Sequence, residues 1–277
     1  MRPTNFPECG GDCYTAFEQL PGVYHIRSNY GELVFLTLLV GTERALLVDT
    51  GYGLDDLNAA VRAITDKPFQ VICTHGHHDH ACGNFQFGEV FLCPEDFGIC
   101  GRYAGGGRER VWGQALERGV YLADWTKEAF LGAGCGPMTA IGRCAIPLGG
   151  LTAEVYPLPG HTPGSLEILV PERKLLLPGD NWNETTWLFF EEACPLSVYR
   201  DSLRRTLEMD FDVILPPHND RLFAKSDLAA FYEGTAPERL LPKAVPAPGM
   251  CPGVNVLRAE PAGRFTFCFD ADKAQNR

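Results

Sequence analysis

Nowhere in the 277 residues is there a run of 18 apolar side chains, the length a helix needs to cross a bilayer. Met1 to Tyr14 holds Pro, Asn, Glu, Asp and Gly but no apolar core of the kind a secretory leader carries. Both absences lead to the expectation of a soluble, cytoplasmic chain with no membrane partner. No CxxC pair occurs among the eleven cysteines, which excludes a zinc ribbon. Their odd number rules out complete internal pairing. Cys73 and Cys268 lie inside apolar runs, where a thiol behaves as a small hydrophobe. No disulfide framework is expected in a chain of this size. Basic side chains are also scarce, 24 Lys and Arg against 35 Asp and Glu, for a formal net charge of -11. Binding to nucleic acid draws on Lys and Arg meeting phosphates, so no nucleic-acid partner is expected. Internal repeats and low-complexity tails are absent as well.

What is present reads as strands that stop at turns. Val23–Ile26 is the first apolar run, and a polar turn around Asn29-Tyr30-Gly31 comes after it. Leu33–Val40 and Ala45–Asp49 come next, the latter ending in a carboxylate. Leu54–Ile64 has the spacing of an amphipathic helix, with Asp55 and Asp56 near the start, where the helix dipole favours acids. Phe69–Thr74 and Val90–Cys93 are further strands. Residues 95–140 differ, being rich in Gly with short helical patterns, and read as an inserted, partly helical cover segment. Strand patterns return at Ala153–Leu158, Leu166–Val170 and Lys174–Leu177. Leu196–Met209 predicts a helix, Val213–Leu215 a strand and Leu228–Tyr232 another helix. Residues 242–277 form a Pro-rich extension with a strand pair, Val254–Leu257 and Phe265–Phe269. Strands in two batches, each succeeded by helices, predict an α/β chain of two sheets with helices outside, and residues 1–277 are expected to form one domain.

The chemistry concentrates in Thr74-His75-Gly76-His77-His78-Asp79-His80, directly after an apolar strand. Imidazole nitrogen and carboxylate oxygen are ligands that zinc takes at about 2.0–2.2 Å, and Gly76 permits a tight bend. Taken alone, the segment could also be a solvated His-rich loop. Three later strand ends each deliver one more metal-capable side chain: His161 in Pro-Gly-His-Thr-Pro-Gly, Asp180 in Leu-Pro-Gly-Asp and His218 in Leu-Pro-Pro-His. A lone strand-end His or Asp is usually a satisfied turn residue. Three of them in this order after the cluster are hard to ascribe to coincidence.

The succession of HxHxDH, GH, GD and a late PH resembles the metallo-β-lactamase superfamily over roughly Gly22 to Asp220. That resemblance implies a four-layer αββα sandwich with two divalent metal ions in a cleft. It assigns His75, His77 and His161 to the first ion, Asp79, His80 and His218 to the second, and Asp180 to a bridging position. His78 fills a variable position and is left out of the ligand set. Asp49 matches the family's early Asp, a residue that supports the site. A bridging Asp is shared by the glyoxalase II, lactonase, phosphodiesterase and RNA-processing branches. The histidine at position 77 departs from the flavodiiron branch, which favours zinc, with iron and manganese as alternatives.

The resemblance implies a hydroxide activated between two cations, attacking a carboxylic ester, thioester or lactone in the glyoxalase II manner. Asp79 is the catalytic candidate, orienting the nucleophile and carrying a proton toward the leaving group. The alternative is a phosphodiesterase acting on a small nucleotide or phospholipid-like diester. The helical glutathione-binding domain of glyoxalase II is not recognisable after His218, which is succeeded by Asn219 where many relatives have Gly. A third reading, a binding protein that kept the fold and lost turnover, is disfavoured because all seven ligand positions are filled. For the substrate, a small molecule, Trp112, Tyr121, Trp125 and Phe130 could line an apolar pocket or merely pack the segment. Arg102, Arg108 and Arg110 could bind an anion or be ordinary solubilising charges on a loop. Trp182, Trp187, Phe189 and Phe190 could shape a far wall. Tyr199 reads as structural. A homodimer through the C-terminal strands is conceivable.

Overall fold

The computed structural model describes residues 14–28, 33–117 and 126–275. The turn at Asn29–Gly31, the side chains Tyr121 and Trp125, and Cys9 and Cys13 lie outside the described residues. The chain divides into two compact units, Met1–Val155 and Tyr156–Arg277.

The first unit is built on a seven-stranded sheet whose spatial order is that of the sequence. Its strands are β1 (Tyr14–Leu20), β2 (Val23–Ser28), β3 (Val34–Val40), β4 (Ala45–Val48), β5 (Phe69–Ile72), β6 (Phe91–Leu92) and β7 (Thr139–Ala140). The first four form an antiparallel meander. From β4 onward the pairing is parallel, and parallel neighbours need a crossover between them. The first crossover is helix α1 (Leu57–Ile64), whose N-cap Asp56 accepts the Ala59 N–H at 2.8 Å. It buries Leu57, Ala60 and Val61 against Leu36, Leu38 and Leu47 in one core. The sequence pattern begins the sheet at Val23 and misses β1. That strand is half-buried over most of its length, so it lacks the unbroken apolar run that marks β3 and β4.

A short helix α2 (His78–Ala81) comes after β5, and the segment beyond β6 is mainly helical: α3 (Phe97–Cys100), a π-turn over Gly101–Gly105, α4 (Arg108–Glu117) and α5 (Lys127–Gly132). The Gly run at 105–107 continues the helix instead of opening a loop, because Gly106 N–H reaches the carbonyls of Gly101 and Arg102 and Gly107 N–H that of Tyr103. Trp112 and Phe130 from this segment are buried, Trp112 packing on Phe130 and Phe130 edge-on to Phe85. The packing alternative therefore describes them, and the pocket alternative does not. Strands β8 (Cys144–Pro147) and β9 (Thr152–Pro157) pair as an antiparallel hairpin.

The second unit contains β10 (Leu166–Val170), β11 (Leu175–Leu177), β12 (Thr185–Leu188), α6 (Leu196–Leu207), β13 (Val213–Ile214), β14 (Phe223–Ala224), α7 (Lys225–Gly234) and α8 (Pro237–Leu240). It closes with β15 (Val245–Pro246), β16 (Val256–Ala262), β17 (Phe265–Asp270) and α9 (Ala271–Gln275). Strands β10, β11, β13 and β14 are sheet neighbours in the order β14-β13-β11-β10, and β12, β17, β16 and β15 form a separate sheet. Leu196, Tyr199 and Leu203 of α6 and Leu228 and Phe231 of α7 share a core with Phe265, Phe267 and Phe269. Trp182 belongs to that core, edge-on to Phe223 at 5.2 Å, which corrects its reading as a wall residue. The expected C-terminal strand pair is present, with two additions: β12 runs parallel to β17, and the chain ends its described part in α9 instead of a strand. The mixed α/β class expected from the sequence is the one found. No helix among the described residues is long and apolar enough to cross a membrane, and all nine described cysteines are free.

Candidate metal centre

In the first unit, β4 and β5 run parallel and end side by side, so the residues leaving the two strands are brought together. Asp49 leaves β4 with a left-handed backbone (φ 68), a conformation costly for a residue other than glycine and concentrated at functional sites. Its carboxylate is buried and accepts the Thr74 N–H at 2.7 Å, the Thr74 hydroxyl at 3.0 Å and Nδ1 of His80 at 2.9 Å. One carboxylate thus ties the end of β4 to the start and the finish of the histidine loop. Nδ1 of His75 lies 3.1 Å from the Thr74 hydroxyl.

Gly76 donates its N–H to Asp96 at 2.8 Å. A Cβ there would lie 2.7 Å from the Cys100 nitrogen and 2.9 Å from the Asp96 carbonyl, so backbone passes against backbone and only glycine fits. His77 caps α2 in an extended conformation (φ -71, ψ 157), and the next turn of helix carries Asp79 and His80. The rings of His75 and His77 are 4.7 Å apart, and those of His75 and His80 4.1 Å. The Asp79 carboxylate is 3.5 Å from Nε2 of His80. Four of the seven expected ligands therefore gather at one strand end of this unit, three of them buried and Asp79 partly exposed.

In the second unit the other three gather. Nδ1 of His161 donates to the Trp187 carbonyl at 2.7 Å, because that oxygen can only accept. This sets the tautomer, leaving Nε2 as the lone-pair nitrogen, and Nε2 lies 3.6 Å from the Asp180 carboxylate. His218 Nε2 is 3.2 Å from the same carboxylate. Asp180 sits in a 3₁₀ turn, Gly179–Asn181. Asn183 donates to it at 3.2 Å and accepts the His218 N–H at 3.3 Å. Phe190 packs edge-on to the His161 ring at 5.6 Å, with Phe189 4.7 Å away. Trp187 remains 43% exposed, an apolar surface beside the donor group.

Asn181 is a residue that the sequence pattern does not single out. Its amide carbonyl accepts the His161 N–H at 3.0 Å, while its amide nitrogen donates to the Leu158 carbonyl and to Glu167. A Cβ on Gly160 would meet its Oδ1 at 2.6 Å. Tyr199 donates its hydroxyl to the Asn181 carbonyl at 2.6 Å, so the tyrosine read as structural also braces the Asp180 turn. Burial pushes the Glu167 carboxyl up to about 7, against hydrogen bonds from Thr206 and Asn181 that pull it down.

Two consequences can be measured. Glu167 binds a proton in the native state between its unfolded value of about 4.3 and about 7, where the unfolded chain has already lost it, so stability falls as pH rises through that window. Glu167→Gln is expected to flatten the slope and to gain as much as about 3 kcal/mol above pH 7 relative to wild type, read as urea midpoints from pH 4.5 to 8; an unchanged slope refutes the assignment. Asp49→Asn keeps the shape but removes the charge facing His80 and disturbs the imidazole tautomer. It is expected to weaken metal affinity by about 10–100-fold in competition with a chromogenic chelator, and unaltered affinity would remove Asp49 from the site.

Donors of this kind, histidine and aspartate held by fixed partners, suit a divalent cation and mark a metallo-hydrolase. The sequence model of the metallo-beta-lactamase superfamily matches residues 30–96. It is similar to the acyl-coenzyme A thioesterase MBLAC2 of Bos taurus, 24% identical over 227 residues that span 71% of this chain and 78% of that one. It is 30% identical to a hydroxyacylglutathione hydrolase of Anaeromyxobacter dehalogenans over 154 residues, covering 56% of this chain and 48% of that protein. Among solved structures it resembles the metallo-beta-lactamase from Pontibacter korlensis, with a TM-score of 0.55 at 19% identity over 78% of this chain and 95% of the other.

Proposed function

We propose that the chain is a binuclear metallo-hydrolase that cleaves thioesters. His75, His77 and His161 would hold one divalent ion and Asp79, His80 and His218 the other, with Asp180 shared, and zinc is the ion the donor set suits best. The observation that carries this reading is the orientation of the imidazoles. Nδ1 of His80 is engaged by Asp49 and Nδ1 of His161 by the Trp187 carbonyl, which aligns Nε2 as the ligand atom, as outer partners do in metal sites. A solvated histidine loop would have no reason to bury such partners. Thioesters are favoured over other acyl substrates because two relatives, an acyl-coenzyme A thioesterase and a hydroxyacylglutathione hydrolase, both carry an acylated thiol in their names.

The ion pair supplies, when bound, a lowered water pKa and a Lewis acid for the carbonyl oxygen. The residues of the chain do the remainder. Asp79, which is partly exposed, would orient the attacking water. A thiolate leaves with a conjugate-acid pKa near 8.5, so little proton donation is demanded of Asp79, less than an alkoxide would require. The exposed face of Trp187, backed by Phe189 and Phe190, offers apolar contact for an acyl chain. Purified protein is expected to contain close to two divalent ions per chain and to hydrolyse acyl thioesters. Activity should be lost to a chelator and restored by zinc, with manganese and iron(II) compared in parallel. Chelator-sensitive cleavage of phosphodiesters with no thioester turnover would overturn the substrate assignment.

A further inference from the structure

The histidine that takes no part in the ligand set has partners of its own. His78 comes directly after His77, and its Nε2 lies 3.4 Å from Nη2 of Arg110. A guanidinium only donates, so Nε2 of His78 is the acceptor and its Nδ1 carries the proton, 3.9 Å from the Asp79 carboxylate. Tyr103 stands over the same loop, its ring 4.6 Å from His77 and 6.3 Å from His78, nearly parallel to the latter. Arg102 lies with its guanidinium carbon 5.2 Å from the Tyr103 ring. Both arginines are exposed.

The backbone explains why these groups meet. The π-turn Gly101–Gly105 interrupts a helical run that extends from Phe97 to Glu117, and such insertions recur at functional sites. The extra residue in the turn shifts the helical face, so Tyr103 comes to the histidine loop together with Arg110 from the next helix, and Arg102 lies beside the Tyr103 ring. Arg108, which shares the arginine cluster in sequence, is buried and engaged elsewhere. In a chain of net charge -11, two exposed guanidinium groups and an aromatic ring at the edge of the donor loop form a local exception to the overall charge.

The geometry points to Arg102, Tyr103 and Arg110 as an anion-reading rim that selects thioesters whose thiol half is negatively charged. This rests on the thioester reading of the same site. Guanidinium groups pair with phosphate or carboxylate through charge-assisted hydrogen bonds, and both chemistries occur on biological thiol carriers, phosphate on coenzyme A and carboxylate on glutathione. Tyr103 presents a ring face on which a flat group can lie. His78 holds the Arg110 guanidinium at the loop and itself lies 3.9 Å from the Asp79 carboxylate, beside which the leaving thiol would depart.

The test compares one acyl group on three carriers, coenzyme A, glutathione and the uncharged N-acetylcysteamine, for wild type, Arg102→Ala, Arg110→Ala and the double variant. The ratio of kcat/KM on the charged carrier to that on the neutral one is expected to fall about tenfold per arginine. Wild-type kcat/KM on the charged carrier should also decline as salt is raised, since screening shortens from about 10 Å at 0.1 M to 3 Å at 1 M. A loss confined to coenzyme A identifies phosphate as the group read, and one confined to glutathione identifies carboxylate; either supports the rim. Ratios that do not change, or losses equal on all three carriers, overturn it. Calorimetric binding of adenosine 3',5'-bisphosphate and of S-methylglutathione to metal-free protein gives a readout without turnover. Arginine-dependent binding with no thioester hydrolysis in wild type would sink the thioester reading and leave the rim standing. Binding of neither ligand, together with turnover insensitive to both substitutions, would do the reverse.

Discussion

Asp180→Ala is expected to lower thioester turnover by on the order of a thousandfold or more, the scale on which a preorganised charge-stabilising group acts, and to take metal content down with it. The reason is local. Both His161 and His218 approach the Asp180 carboxylate, at 3.6 and 3.2 Å. Without it the two imidazoles lose the carboxylate that both approach. Folding should survive, because the turn that carries Asp180 is also held by Asn181 and Tyr199. Metal analysis by mass spectrometry, kcat on an acyl thioester and the thermal midpoint separate these effects. Full activity with two bound ions would refute the shared-ligand role, and a collapse of the fold would show Asp180 to be structural.

The second large effect is expected on stability. Arg108→Ala should cost about 2–5 kcal/mol, from two buried carbonyls left unmet and a void between aromatic rings. Arg108 is 1% exposed. It donates to the carbonyls of Cys82 at 2.5 Å and Gly134 at 2.8 Å, and its guanidinium carbon lies 4.6 Å from the Phe85 ring and 4.9 Å from Phe130. Truncation leaves two acceptors unmet, each worth about 1–3 kcal/mol, and opens a void between two aromatic rings. Arg108→Lys is expected to recover little, since an ammonium cannot stack on a ring while reaching two carbonyls. A loss below about 1 kcal/mol in urea titration would contradict the anchoring role. Cys82 lies two residues beyond His80, so metal affinity in Arg108→Ala is expected to weaken along with stability.

The ligand positions are legible because each lies directly behind a short apolar strand and beside Gly or Pro. His75 and Asp180 come shortly after the ends of β5 and β11 in this way, as does the supporting Asp49 after β4, and His161 and His218 sit in Pro-containing turns. A strand that stops abruptly in a small-residue turn can present only the polar side chain behind it, so type and spacing carry the signal. Asn181 escapes notice because asparagine after Gly-Asp looks like any turn residue. What gives it a role is that its amide meets His161, Leu158 and Glu167, which are far apart in sequence. Arg102, Arg108 and Arg110 look alike as neighbours of glycines, yet one is enclosed by Phe85 and Phe130 while two stay at the surface.

By itself the sequence determined which residues could bind metal, where most strands and helices run, and that the chain is mixed α/β, because these depend on local patterns of apolar and polar residues along a few consecutive positions. Only the tertiary structure decided which nitrogen of His80 and of His161 is committed, which arginine is interior, and that Tyr103 stands over the histidine loop. Those outcomes depend on atoms brought close from distant parts of the chain: the Trp187 carbonyl behind His161, the Asp49 carboxylate behind His80. Residues separated by 26 or 31 positions leave no periodicity between them along the chain.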